Sequence, residues 1–338
     1  MAPGRLGVLL LHMGGPRFPA EVRPFLRRLF ADPAMIHLPA PARLPLAGLI
    51  ATLRAHAARR RYALLGGGSP AVAQVTALAA AVGRELAGAG ADAAVEPAFL
   101  YCGQDAGEAI DRLRARGAVR WVAVPEYPQW SATTTGASWR ALDRAVAARA
   151  AALPGLARLG RARSWCDDPG FADAWADVIG RTLGDRFPAG ARPHLLFSAH
   201  GLPAGHARRG DPYPDQILRS VAAVAARFPD LPHGLAYQSR VGPVQWIGPE
   251  VTAEVRRLAA AGTRELLVVP ISFLTDHIET LVELDVELAA IARAAGVTRL
   301  ERPAPAATSP HAVRALARAA LAAAVTDAGT KEGSWRGS

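Results

Sequence analysis

Cysteine is almost absent from this 338-residue chain: the two present, Cys102 and Cys166, lie far apart and form no CxxC pair. A disulfide framework is thereby excluded beyond one bridge, and a reducing compartment is expected. Lysine is scarcer still. Of the 39 basic residues only Lys331 is lysine, so arginine carries nearly all of the formal +10 charge. That bias, alongside about 74 alanines, reads as compositional, and the charge by itself gives no reason to expect nucleic acid as a partner. Long apolar runs are missing too. Gly7–Leu11 is too short for the apolar core of a signal peptide, and no window approaches the roughly 18 apolar residues of a membrane span.

What the chain does have is core-forming material: 51% hydrophobic and 20% charged residues, over a length that suits two domains. Short apolar runs at 7–11, 93–101, 121–125, 194–198, 235–238 and 265–270 read as strands. Alanine-rich stretches between them read as helices, among them 70–87, 171–187, 278–295 and 311–324. Continuous apolar strands alternating with helices imply parallel sheets covered on both faces, hence an α/β fold. The pattern runs twice. A junction at Leu153-Pro154-Gly155 predicts domains over 1–155 and 156–310, a last helix over 311–325 packing back on them, and a flexible tail over 326–338. The stretch 44–61 begins apolar and ends in Arg54, His56, Arg59, Arg60 and Arg61, which suits either a peripheral membrane contact or an ordinary edge helix.

In doubly wound sheets, ligand groups sit just past the carboxyl ends of the strands. Those segments are the unusual ones here. His200 stands one or two residues past an apolar strand, between Ala199 and Gly201. A histidine so placed serves as a proton acceptor near neutral pH, as a ligand for a borderline metal, or as a hydrogen-bonded structural group. Asp276, His277 and Glu279 open the helix over 278–295, and Glu279, Glu283 and Glu287 follow at i, i+4 and i+8 on one face. Three stacked acids repel one another unless water screens them or a cation or proton passes between them. Glu279 is closest to the strand end, and His277 suits an orienting role. One His and one Glu are too few for a closed zinc site, and HExxH is absent, so any ion here would be passed on rather than kept. Gly66-Gly-Gly-Ser-Pro70 lacks the Gly-Lys-Ser/Thr of a phosphate loop, Ser131–Thr135 suits a helix cap or an anion site, and no GxSxG elbow surrounds Ser198.

At these segments the sequence resembles the ferrochelatase family. The matching stretches include Gly7 to Pro16, Arg28 to Pro33, Gly66 to Pro70, Tyr127 to Ser131, Ser198 to Pro203, Gly210 to Pro214, Trp246 to Pro249 and Ser272 to Leu281, in the family's order. The resemblance implies two similar Rossmann-like, chelatase-type domains. Each would be a four-stranded parallel sheet flanked by helices, with the active site in the cleft between them. It implies insertion of Fe2+ into protoporphyrin IX or coproporphyrin III with release of two protons. His200 and Glu279 would be both catalytic and metal-contacting; Glu283, Glu287, His277 and Asp276 would line the proton and metal path. Met13, Arg54, Tyr62, Ser69, Tyr127, Trp246 and Phe273 would line the porphyrin pocket. No permanently bound cofactor is implied, and two cysteines are too few for the four-cysteine iron–sulfur cluster of some members. The resemblance also implies a monomer or homodimer; a cytoplasmic location is expected, with the apolar-then-basic stretch 44–61 as the candidate peripheral contact on the inner face of the membrane. Other readings are a chelatase for another metal and a porphyrin carrier without catalysis; retention of His200 and Glu279 speaks against the carrier. The chain departs from the family pattern at His12, Leu100, Glu126 and Trp130.

Overall fold

The computed structural model describes residues 4–326 apart from Pro243; the expected tail beyond lies outside the described residues. Eight strands form two parallel four-stranded sheets. The first comprises β1 (Leu6–His12), β2 (Ala93–Phe99), β3 (Arg120–Pro125) and β4 (Gly160–Arg161), in the order β2-β1-β3-β4. The second comprises β5 (His194–His200), β6 (His233–Gln238), β7 (Glu265–Val269) and β8 (Arg299–Glu301), in the order β6-β5-β7-β8. One winding is thus used twice, and β1 and β5 are both seven residues long.

Helices of the first half are α1 (Val22–Ala31), α2 (Ala40–Ala63), α3 (Ala71–Gly88), α4 (Ala106–Ala115) and α5 (Thr135–Ala147). Those that follow are α6 (Pro169–Arg186), α7 (Ala204–Arg208), α8 (Tyr213–Ala225), α9 (Val251–Ala260), α10 (Ile278–Leu281), α11 (Ala289–Ala294) and α12 (Pro310–Thr326). Local chemistry sets several starts. Asp105 and Glu108 form a reciprocal capping box on α4, and the Asp168 carboxylate accepts from the Gly170 amide ahead of α6, with Pro169 in its first turn. Among the described residues no helix is long and apolar enough to cross a membrane.

Alternation along the strands sorts the core into three layers. Leu6, Val8 and Leu10 of β1 face inward, as do Leu195 and Phe197 of β5 and Leu267 and Val269 of β7. These side chains share one continuous cluster with Val75 of α3, Trp175 of α6 and Leu316 of α12, so the halves are joined by a common core. Leu9 and Leu11 pack outward on α4 and α5, while Leu196 and Val268 pack on α9. Burying a side chain such as Leu or Phe is worth about 1.5–3 kcal/mol. The central layer, holding the largest fully buried side chains Trp175, Phe171 and Phe197, therefore contributes most to holding the halves together.

Two expectations need adjustment. The single helix over 278–295 is three pieces: α10, a π segment (Glu283–Leu288) and α11. The first sheet also extends past 155, because β4 pairs with β3 through Val122–Gly160 and Ala123–Arg161. A two-residue strand carries no apolar run to announce it.

Candidate active site

The cleft site is built on the carboxyl end of β5. Ser198 is fully buried and donates its hydroxyl to Gln238 Oε1 at 2.6 Å, joining the ends of β5 and β6. Gln238 Nε2 in turn donates to the backbone carbonyl of Glu279 at 2.7 Å, so the strand ends hold α10 in place. His200 is fixed by its own backbone: its amide donates to Ser272 Oγ and its carbonyl accepts from the Tyr213 hydroxyl, both at 3.0 Å.

The imidazole is oriented as firmly. His200 Nδ1 lies 2.6 Å from the Gly201 carbonyl, which requires Nδ1 to carry a proton and leaves Nε2 facing Glu279 Oε1 at 3.5 Å. Burial alone would lower the His200 pKa. The Glu279 carboxylate, with help from the Gly201 carbonyl, overrides this and raises it to about 9. Burial works to raise Glu279, but the imidazolium beside it holds that carboxyl well below the usual range. At neutral pH the resting pair is imidazolium and carboxylate. The other Glu279 oxygen faces His277 Nε2 at 3.8 Å, and burial keeps His277 neutral. Phe273 sets its ring edge-on to His277 at 4.4 Å and lies 6.0 Å from His200.

The acids beyond Glu279 each have a partner. Glu283 accepts from both the amide and the hydroxyl of Ser239 at 2.7 Å, where Ser239 has a left-handed φ of 65°. Burial and the neighbouring Glu279 charge push the Glu283 carboxyl up, towards holding a proton. Glu287 reaches across to Arg61 of α2 at 2.9 Å. Exposure rises along the three, from the half-buried Glu279 and Glu283 to the exposed Glu287, on a helix that the π segment interrupts. Asp276 does not join them. Arg302 holds its carboxylate at 2.9 Å and the Thr280 hydroxyl donates to it at 2.8 Å, which gives it a structural partner rather than a place on the acid line.

Of the expected pocket residues, Tyr62 and Ser69 are buried and Met13, Tyr127, Trp246 and Phe273 half-buried. Met13 donates its amide to the Tyr127 hydroxyl, and Trp246 closes over Gly201, where a β-carbon would meet its ring at 3.1 Å and the Gln238 carbonyl at 2.8 Å. Arg54 differs: it is exposed on α2 with its guanidinium 5.6 Å over the Phe30 ring. Arg61, not Arg54, is the α2 arginine that meets the acids. In the sequence Arg61 stands out only as part of the basic end of 44–61, and Gln238 and Ser239 only as part of a family-like stretch, with no site role; Arg302 is not singled out. Gln238 ends a strand beside His200, and that position was the available signal.

The repeated winding places a second His–Glu pair in the first half. His12 ends β1 as His200 ends β5, and Glu126 follows β3, with His12 Nε2 facing Glu126 Oε2 at 3.9 Å. The chemistry is inverted. His12 Nδ1 accepts from the Gly14 amide at 2.8 Å, so its proton sits on Nε2 and no lone pair is free there. Both side chains are almost wholly buried; burial lowers His12 to about 3 and raises Glu126 to about 7. The Thr275 hydroxyl donates to Glu126 at 3.1 Å, bridging the two halves. Two positions that depart from the family pattern are therefore a single contact. Only the His200–Glu279 pair is open to the cleft with an imidazole nitrogen that becomes free when its proton leaves.

Comparison with known proteins gives the family. The ferrochelatase family profile matches residues 5–324. Ferrochelatase from Synechocystis sp. is 41% identical over 321 residues, covering 93% of this chain and 81% of its own length. Ferrochelatase from Phenylobacterium zucineum is 42% identical over 338 residues, covering 98% and 95%. Among solved structures, SirB from Bacillus subtilis with Fe3+ superposes with a TM-score of 0.53 at 12% identity, covering 95% of this chain and 96% of that one. CbiX, the terminal enzyme for siroheme biosynthesis in denitrifying bacteria, gives 0.50 at 17% identity, covering 94% and 99%. At such identities these two likenesses bear on the fold alone. The chain belongs to the ferrochelatase family, and its activity is tetrapyrrole chelation of the ferrochelatase type.

Proposed function

We propose that the ion is Fe2+, that the macrocycle is protoporphyrin IX or coproporphyrin III, and that His200 and Glu279 carry the transfer. The supporting observation is the 3.5 Å pair at the end of β5, with the acids leading away from it. Imidazole and carboxylate suit a borderline divalent ion, and two donors leave the coordination open. The ion passes Glu287 and Glu283, and its charge expels the His200 proton as it settles between Nε2 and the Glu279 carboxylate. Its departure into the ring frees both donors just as two pyrrole N–H protons must leave. His200 takes one proton and regains its resting state. Glu279 passes the other to Glu283, whose raised pKa suits it to carry a proton outward. Met13, Tyr62, Ser69, Tyr127, Trp246 and Phe273 grip the ring, and bending it so that nitrogen lone pairs face the ion takes about 1–5 kcal/mol.

The test is anaerobic mixing of the protein with each porphyrin and with Fe2+, Co2+ or Zn2+ in competition, followed by absorbance. Iron is expected to be inserted with the highest kcat/KM; a clear preference for cobalt would overturn the metal assignment.

We also propose that the protein is cytoplasmic and touches the inner face of the membrane through α2, a contact that the outer face of this helix suits. Leu44, Leu49 and Leu53 are exposed on it, Leu53 at 71%, beside the exposed cations Arg54, Arg59 and Arg60. Binding to anionic vesicles should weaken as salt rises and fall further in Leu49→Ser/Leu53→Ser; equal binding by parent and variant would refute the contact.

A further inference from the structure

Arg302 is the feature whose geometry the reaction leaves unused. It follows the short edge strand β8, and its side chain is only 9% exposed. Its Nε and Nη2 form a fork on the two oxygens of Asp285, at 2.7 and 2.8 Å, while Nη1 reaches Asp276 Oδ1 at 2.9 Å. Those two acids bracket the stretch that carries Glu279 and Glu283. Asp276 precedes α10 and is further tied by the Thr280 hydroxyl at 2.8 Å and by its own amide, which donates to Gln74 of α3 at 2.7 Å. Asp285 lies in the π segment, where the Glu287 amide reaches back to the Val282 carbonyl at 2.9 Å across a widened turn.

A π turn has poorer backbone geometry than an α turn and persists where something outside the helix holds it. Here a planar, permanently charged fork holds Asp285 inside the π segment and ties it back to Asp276 ahead of α10. The acid line depends on that register, because Glu283 must meet Ser239 on one side and Glu287 must meet Arg61 on the other. The nitrogens of Arg302 reach Asp285 and Asp276 and not Glu279, so its influence on the site is one of position.

We propose that Arg302 is a positioning residue that clamps Asp276 to Asp285 and so keeps Glu279, Glu283 and Glu287 aligned as the route for the divalent ion, a role that rests on the chelatase reading above. The clamp governs delivery of the ion; of the porphyrin walls only Phe273 shares its segment, and Met13, Tyr62, Ser69, Tyr127 and Trp246 come from other elements. Arg302→Lys keeps the charge and most of the stem but offers no fork to bridge two carboxylates. Asp285→Asn frees the π end alone while Arg302 still holds Asp276.

The experiment measures Zn2+ insertion into protoporphyrin IX by parent, Arg302→Lys and Asp285→Asn, with KM determined separately for metal and porphyrin. Thermal melts and porphyrin fluorescence quenching confirm that each variant is folded and binds the ring. Loss of a supporting contact around a metal site typically weakens metal affinity about 10- to 100-fold, and that rise in metal KM is expected for Arg302→Lys. Asp285→Asn should move it in the same direction by less. Porphyrin KM should stay within about twofold of the parent, and the pH profile of kcat should keep its shape. A folded Arg302→Lys with parental metal KM overturns the clamp, and so does a rise shared equally by both substrates. Failure of the parent itself to insert zinc would instead remove the reading on which the clamp rests.

Discussion

Two histidines end equivalent strands, and a single backbone contact separates their chemistry. His200 Nδ1 donates a hydrogen bond to the Gly201 carbonyl; His12 Nδ1 accepts one from the Gly14 amide. The first arrangement presents Nε2 to a partner that tunes it, and the second spends Nε2 on a buried contact. Sequence patterning finds both histidines, because each closes an apolar run. It does not reveal the tautomer, since that depends on which way a neighbouring peptide points. The raised His200 pKa has a measurable consequence. With its folded value near 9, above the ordinary 6.5, the proton competes with the incoming ion until the pH reaches that value. Metal KM should fall as pH climbs from about 6.5 towards 9, by up to about tenfold per unit for one displaced proton. In Glu279→Gln the largest influence that raises the imidazole is lost, and burial is opposed only by the Gly201 carbonyl and the Glu283 charge. The pKa therefore falls, and the decline should flatten over that range even though the metal binds more weakly. A parental metal KM independent of pH would contradict the ion-pair account.

Elements were legible in proportion to their apolar length. The six longer strands announce themselves, while β4 and β8 have two and three residues and no distinguishing run. Periodicity also reads 278–295 as one helix, because a π turn changes backbone pairing without disturbing the apolar positions Leu284 and Leu288 that face the core. The i, i+4, i+8 acids were visible; their separate partners, supplied by β6 and α2, were not. Close approach between elements shows in glycine only once neighbours are known. At Gly201 a side chain would press into Gln238, which holds α10, and into Trp246, a wall of the proposed porphyrin pocket. Gly201→Ala should therefore raise porphyrin KM by about tenfold, in line with about 1–3 kcal/mol for overpacking, while secondary structure is retained. Fluorescence titration of porphyrin measures it, and unchanged affinity would show that Trp246 does not need this approach.

Across the whole molecule, the doubled winding was readable and the joining of its halves was not. The sequence pattern marks two successive α/β units, but the shared central layer comes from α3, α6 and α12 packing between the sheets. The last helix crosses back to the first sheet so tightly that a β-carbon on Gly160 would fall 2.1 Å from the Ala323 carbonyl. Thr275 to Glu126 and Arg61 to Glu287 add polar ties between the halves. This arrangement brings Arg61 of α2 to the acids that follow His200. The central claim is that the His200–Glu279 pair hands over the ion and receives the pyrrole protons. The most direct measurement is anaerobic iron insertion by parent and His200→Ala under saturating protoporphyrin, with bound porphyrin monitored by fluorescence. A positioned proton acceptor contributes about 10²–10⁴-fold to rate, so kcat in the variant should drop by that factor with porphyrin still bound. A His200→Ala protein that binds porphyrin and inserts iron at close to the parental rate would contradict the account.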